Sequence, residues 1–157
     1  MALLGSLAVS AIKNMNRPVD VNDTKSMPLG LREPEDDSEE EALQNNAKLV
    51  LRAMINAAKS DGQIGPDEMK RITDKLQEAG ADQEARNFVL AEMGKPLDLD
   101  GLIREVRDQE VGAQVYAASL LSIEVDTAAE REYLRRLADG LQLGPGAVAR
   151  IHRMLGV

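Results

Sequence analysis

The chain of 157 residues has no cysteine and no tryptophan, and its aromatic side chains are only Phe88, Tyr116 and Tyr133. Without cysteine there are no disulfides, no thiolate metal sites and no cysteine nucleophile, so any bound metal must be held by oxygen. Without a stock of aromatic rings the core must be built from Leu, Ile, Val, Met and Ala, which favours packing of helix on helix. Positive charge is also scarce: 19 Lys and Arg stand against 27 Asp and Glu, a net charge of −8. Binding along a phosphate backbone needs clustered cations that displace counterions, so nucleic acid is not an expected partner. At this length, with 43% hydrophobic residues, the chain is expected to bury one core and form one folded domain.

Three zones follow from composition. Residues 1–16 open with the apolar stretch Ala2 to Ile12, bounded by Lys13. That stretch is short of the roughly 20 apolar residues a bilayer span needs. Nothing basic precedes it, so it lacks the n-region of a secretory signal. Two readings stand: peripheral contact with a membrane through residues 2–12, as the end of a membrane segment, or a terminal helix packed on protein. Residues 17–40 carry Pro18, Pro28 and Pro34 with eight acids, against Arg17, Lys25 and Arg32. An acidic, solvated linker is expected there. Residues 41–157 then show the periodicity of helices.

Seven helices are expected in that third zone, and no strand alternation interrupts them, so the fold class is all-α. Leu49, Ala53 and Ala57 mark the apolar stripe of the first. Gly65-Pro66 opens the second, with Met69, Ile72, Leu76 and Ala79 inward before Gly80. Asp82 caps a third bearing Ala85, Phe88 and Val89, and Asp98 caps a short fourth with Leu102, Ile103 and Val106. The fifth, about Glu110 to Glu124, is apolar around most of its circumference, Leu121 included, and is expected at the centre. The sixth starts at Thr127 with Tyr133, Leu134, Leu137 and Leu141, and the seventh at Gly144-Pro145 with Val148, Ile151 and Leu155.

Two helix junctions about sixty residues apart carry the sharpest chemical signal. Asp61-Gly62-Gln63-Ile64-Gly65-Pro66-Asp67-Glu68 and Ile123-Glu124-Val125-Asp126-Thr127-Ala128-Ala129-Glu130 each end an Ala-rich helix and begin an amphipathic one. A duplicated helical hairpin is the economical explanation. Asp61-Gly62-Gln63-Ile64 with Glu68 matches the second half of an EF-hand loop. The first half is missing, since Ala57 and Lys59 stand where its first two carboxylates belong. Calcium takes six to eight oxygens, so the site would be composite: Asp61 and Glu68 joined by Glu124, Asp126 and Glu130 around a divalent cation, calcium or magnesium-like. The structural alternative stays open beside it. Glu68 lies in a first turn, where the helix dipole favours a carboxylate, Thr127 to Glu130 is a ready capping box, and Asp61-Gly62 is an ordinary turn pair.

From about Asn46 to Val157 the chain resembles a known family. The motifs that carry the likeness are Leu51 to Gly62, Pro96-Leu97-Asp98, Tyr116 to Ile123 and Asp126 to Leu134. The family is one of uncharacterised bacterial inner-membrane proteins, a domain of unknown function within the TerB-like superfamily linked to tellurite resistance. The resemblance implies a TerB-like bundle of about seven helices in two related halves, with acidic corners suspected of holding metal ions. Asp61, Glu68, Asp126 and Glu130 match that pattern, while Glu124 stands where relatives commonly carry aspartate. Relatives also commonly carry a longer Gly/Ala-rich membrane segment, of which Ala2 to Ile12 is similar to the end. Association with the inner membrane is therefore implied, and Lys13 and Arg17 favour a cytoplasmic helical domain; a soluble cytoplasmic protein is the alternative.

Enzymatic chemistry is not expected. The single histidine, His152, has no nucleophile and base arranged around it, and no Gly-rich loop follows a strand. The expected function is a non-enzymatic, metal-ion-binding module. The alternative is a scaffold for a protein partner or a homo-oligomer in envelope or stress response. Cationic faces at Lys70, Arg71 and Lys75, and at Arg131, Arg135 and Arg136, are the candidate contacts for that alternative.

Overall fold

The computed structural model describes residues 36–157, apart from Gln63, Ala79 and Glu124 and the side chains of Glu68, Arg71, Ile72, Lys75, Leu76 and Glu78. The N-terminal segment 1–16 and all but the end of the 17–40 linker lie outside the described residues. Seven helices follow in order: α1 Asp37–Ala58, α2 Pro66–Glu78, α3 Gln83–Gly94, α4 Leu99–Glu105, α5 Gln109–Leu121, α6 Ala128–Gly140 and α7 Pro145–Leu155. The described residues contain no strand, as the sequence pattern requires.

Helix α1 begins at Asp37, four residues before the expected start of the helical zone at residue 41. Asp36 accepts a hydrogen bond from Glu39 N–H at 2.9 Å, and Asp37, Glu39 and Glu40 occupy the first turn. Acids that read as a solvated charge run are thus the residues that favour a helix start through its dipole. The caps expected at Asp82 and Asp98 form, and Asp108, not expected from sequence, caps α5. Asp82 accepts from Ala85 N–H, Asp98 from Gly101 N–H and Asp108 from Val111 N–H, each at 2.8 Å. Gly80, with φ of 74°, supplies the left-handed residue that ends the α2 segment.

The two Ala-rich helices, α1 and α5, make the most extensive contact in the fold. Ala53, Ala57, Ala113 and Ala118 are fully buried, and such small side chains let the two backbones approach closely. Ser119, also fully buried, donates to Val115 O at 2.9 Å and lies 3.4 Å from Ala53 O across the pair. Around this centre Leu102 of α4, Leu134 and Leu137 of α6 and Ile151 of α7 complete one core. Burying each of these large aliphatic chains contributes about 2 kcal/mol. Helix α5 ends at Leu121, which is half exposed, three residues short of the expected end; Ser122 takes the C-cap instead.

A smaller apolar cluster lies between α1 and the α2–α3 hairpin. Ile55, Val89 and Met93 are buried there, with Leu51, Ile64, Met69 and Phe88 packed against them. Lys59 fastens this hairpin. Its ammonium is buried at the end of α3 and donates to the carbonyls of Glu92 and Lys95 at 2.6 Å each. Asn56 Nδ2 adds a bond to Asp98 O at 3.2 Å. The position that an EF-hand would give to a carboxylate therefore holds a cation that caps a neighbouring helix.

Candidate functional site

The second acidic junction is built around one carboxylate. Glu130, the third residue of α6, turns back so that Oε2 accepts from Thr127 N–H at 2.8 Å, Thr127 Oγ1–H at 2.8 Å and Asp126 N–H at 3.2 Å. In return Thr127 Oγ1 accepts from Glu130 N–H at 3.2 Å, completing a capping box. The Thr127 backbone donor, followed by its hydroxyl, holds the Glu130 carboxyl below the usual carboxylate range, and the Asp126 backbone and side chain add to this. Glu130 is buried, while Asp126 is exposed beside it. Asp126 and Glu130 are thus brought together, with most of the capacity of one carboxylate oxygen already taken by the helix start.

At the first junction Asp61 is exposed on the turn after α1, where Gly62 N–H bonds to Lys59 O at 3.1 Å. The Glu68 side chain and the whole of Glu124 lie outside the described residues. Helix α2, which opens at this junction, packs on α3, whereas α6, which opens at the other, packs on α1, α4 and α5. Among the described residues no three acidic or histidine side chains gather as metal ligands. His152 is occupied elsewhere: its Nε2 is 3.0 Å from the Tyr116 hydroxyl, tying α7 to α5.

A concavity among the described residues lies away from both corners. It is an open groove of about 1020 Å³ between the N-terminal half of α1, the end of α3 and the link from α4 to α5. Ser38, Glu41, Ala42, Asn45, Lys48 and Leu49 form its α1 wall at helical spacing. On its floor Arg52 pairs with Glu105 at 2.6 Å and Glu92 at 3.4 Å, and Lys95 also pairs with Glu92. The Arg52 guanidinium is accordingly held above its ordinary value, chiefly by the bond to Glu105. Lys48, Arg104 and Arg107 line the groove with no ion pair among the described residues.

The cationic faces expected from sequence are different. Lys70 pairs with Asp74 at 2.7 Å, Arg135 with Glu132 and Asp139 at 2.8 Å, and Arg136 with Asp100 at 3.7 Å. Those three cations are balanced locally on a solvated surface, Arg131 donates to Asp126 O at 3.1 Å, and the side chains of Arg71 and Lys75 lie outside the described residues. The groove was the site that periodicity concealed, because its α1 wall is polar and small rather than apolar. The repeat Ser38, Ala42, Asn45, Leu49 is the signal that points to it.

The sequence profile of a family described as "Protein of unknown function (DUF533)" matches residues 1–155. The chain belongs to this family. An uncharacterised protein in the ampR 5′ region of Yersinia enterocolitica is 29% identical over 111 residues, 71% of this chain and 80% of that protein. No solved structure matches the chain. The DUF533 match takes in the apolar segment and the acidic linker along with the helices, so the family pattern is not confined to the bundle. No described helix is long and apolar enough to cross a membrane.

Proposed function

We propose that this DUF533 member is a non-enzymatic, TerB-like interaction module that binds a protein partner through the α1 groove. The observation that carries this reading is the groove itself: a 1020 Å³ concavity whose α1 wall, Ser38, Glu41, Ala42, Asn45 and Lys48, is exposed. A helix that keeps its period where it covers no core is well suited to dock against something else. Lys48, Arg104 and Arg107 beside it add unpaired charge, which gives orientation and specificity to an encounter. A photo-crosslinking residue in place of Asn45, compared with one in place of the exposed Ala149, tests it in the native cell. An adduct at 45 that is absent at 149, and is lost on Lys48→Glu, is the expected result. No adduct at 45 removes the reading.

A second reading, a divalent-cation site at the acidic corners, is favoured by the adjoining Asp126 and Glu130 side chains. On this reading Asp61 and Glu68 with Glu124, Asp126 and Glu130 would supply a calcium or magnesium-like shell. Calorimetric titration of metal-stripped protein with calcium, magnesium, manganese and zinc decides it. Saturable binding abolished by Asp61→Asn with Asp126→Asn supports the site, and absence of heat for all four ions rejects it.

Association with the bacterial inner membrane, with the helices on the cytoplasmic side, belongs to the same proposal. It rests on Ala2 to Ile12, on Lys13 and Arg17, and on the TerB-like resemblance. Fractionation of the full chain beside one lacking residues 2–12 tests it; equal recovery of both in the soluble fraction would refute it.

A further inference from the structure

We propose that the partner seated in the α1 groove is a second copy of this chain, its α1 lying antiparallel to the first about a two-fold axis near Asn45. The inference rests on the interaction-module reading and names its partner. The charge pattern along α1 is what carries it. Glu41 lies on the groove wall and Asp37 one turn before it on α1, outside the groove lining, each with no ion pair among the described residues. Lys48, Arg104 and Arg107, equally unpaired, lie toward the other end, near Arg52 and its partner Glu105, with Asp108, which caps α5, and Glu110 as the acids beside them. Seven residues separate Glu41 from Lys48, about 10 Å along a helix. One α1 therefore has an acidic end and a basic end on the same wall, and a two-fold axis between them places each end against its opposite twice.

The register is specific. An axis at Asn45 sets Glu41 and Ala42 of one copy beside Lys48 and Leu49 of the other. Asp37 then approaches the neighbourhood of Arg52, where Arg104 and Arg107 stand. Asn45 meets its own counterpart, and two amides can each donate and accept there, a device that fixes register between helices. Ala42 at the crossing permits close approach. The size also agrees. A helix about 10 Å across, sunk by half over about 20 Å, displaces on the order of 800 Å³, and the groove holds about 1020 Å³. Its open, charged character suits a helix with the same polar face better than an apolar segment.

Sedimentation analysis of the full 157-residue chain over a concentration series tests the pairing. The wild-type protein is expected to form a dimer that weakens with added salt. Lys48→Glu and Glu41→Lys, each reversing two symmetric contacts, are each expected to weaken it about tenfold, and the double reversal to restore it. Helical circular dichroism of each variant excludes unfolding as the cause. Because the chain has no cysteine, Asn45→Cys provides an independent readout. It is expected to cross-link to a disulfide dimer under oxidation, while Ala149→Cys does not. A monomeric wild-type protein throughout the series overturns the proposal, as does a dimer indifferent to both single reversals or one that Asn45→Cys fails to link. An in-cell adduct at residue 45 on a different protein, with the purified chain monomeric, overturns self-pairing while leaving the interaction-module reading in place.

Discussion

Glu130 illustrates how one carboxylate can be read in two ways from sequence and resolved by its hydrogen bonds. Thr127-Ala128-Ala129-Glu130 is legible as a capping box, and Glu130 is equally legible as an oxygen ligand, because both roles need an anion at a helix start. What sequence does not display is the direction in which the carboxylate turns. In the fold it faces its own backbone and accepts from Thr127 and Asp126. Thr127→Ala is therefore expected to lower stability by about 1 kcal/mol, the usual cost of a lost N-cap, measured by urea unfolding. The pH dependence has a definite sign. A carboxyl held below its unfolded value contributes fully above about pH 5 and loses that contribution as pH falls through the folded value. Glu130→Gln should flatten the acid limb of stability against pH relative to wild type. Identical acid limbs would show that the carboxylate charge does nothing at this corner.

Among whole elements, the end of α6 shows where local sequence rules mislead. Helix starts were legible to within a residue wherever Asp, Thr or Pro marked them, as at Asp82, Asp98, Thr127 and Pro145. The end of α5 and the start of α1 were not: Ser122 caps α5 three residues before the expected end, and the Asp36 cap that starts α1 reads in sequence as part of a charge run. Gly140 sits in the last turn of α6, and Gln142, not a glycine, takes the left-handed conformation after it, with φ of 56°. Gln142 N–H bonds to Asp139 O and Leu143 N–H to Ala138 O, a Schellman arrangement whose central residue is usually glycine. The glycine stands two residues earlier because α4 crosses there: a Cβ on Gly140 would lie 2.4 Å from Ile103 Cδ1. Propensity alone favours Gly140→Ala by about 1 kcal/mol, whereas overpacking costs about 1–3 kcal/mol. The substitution is expected to destabilise, and to do so less in an Ile103→Val background that removes the clashing methyl. Gln142→Gly should move the other way, gaining up to about 1 kcal/mol from relief of the left-handed strain. Thermal unfolding of the three variants checks both signs, and a stabilising Gly140→Ala would contradict the close α4–α6 crossing.

At the scale of the molecule, the scarcity of aromatic residues turns the two tyrosines into reporters of the bundle. Tyr116 of α5 and Tyr133 of α6 are both buried in the main core, where desolvation raises both phenols above their ordinary value, Tyr133 the more strongly. The Tyr133 hydroxyl has no hydrogen-bond partner among the described residues, and Ser119 donates to Val115 O. A group whose folded value is raised stabilises the fold fully below its unfolded value, about pH 10 for tyrosine, and that contribution is lost as pH climbs through the folded value. The loss approaches about 1.4 kcal/mol per pH unit for each tyrosine still protonated in the fold. Lys59 works in the opposite direction. Burial lowers its ammonium, so its contribution grows with pH until the unfolded value near 10.4 and then stops. Above the acid limb, stability is therefore expected to rise modestly toward about pH 10 through Lys59 and to fall steeply above it through the tyrosines. Tyrosinate absorbance at 295 nm should stay silent through pH 10 and then rise cooperatively, together with loss of helical circular dichroism. Tyr133→Phe should lessen the slope of the alkaline limb. A gradual absorbance rise centred on pH 10 with the helices intact would mean that these rings are in contact with water, and that the joint core of α5, α6 and α7 is not closed.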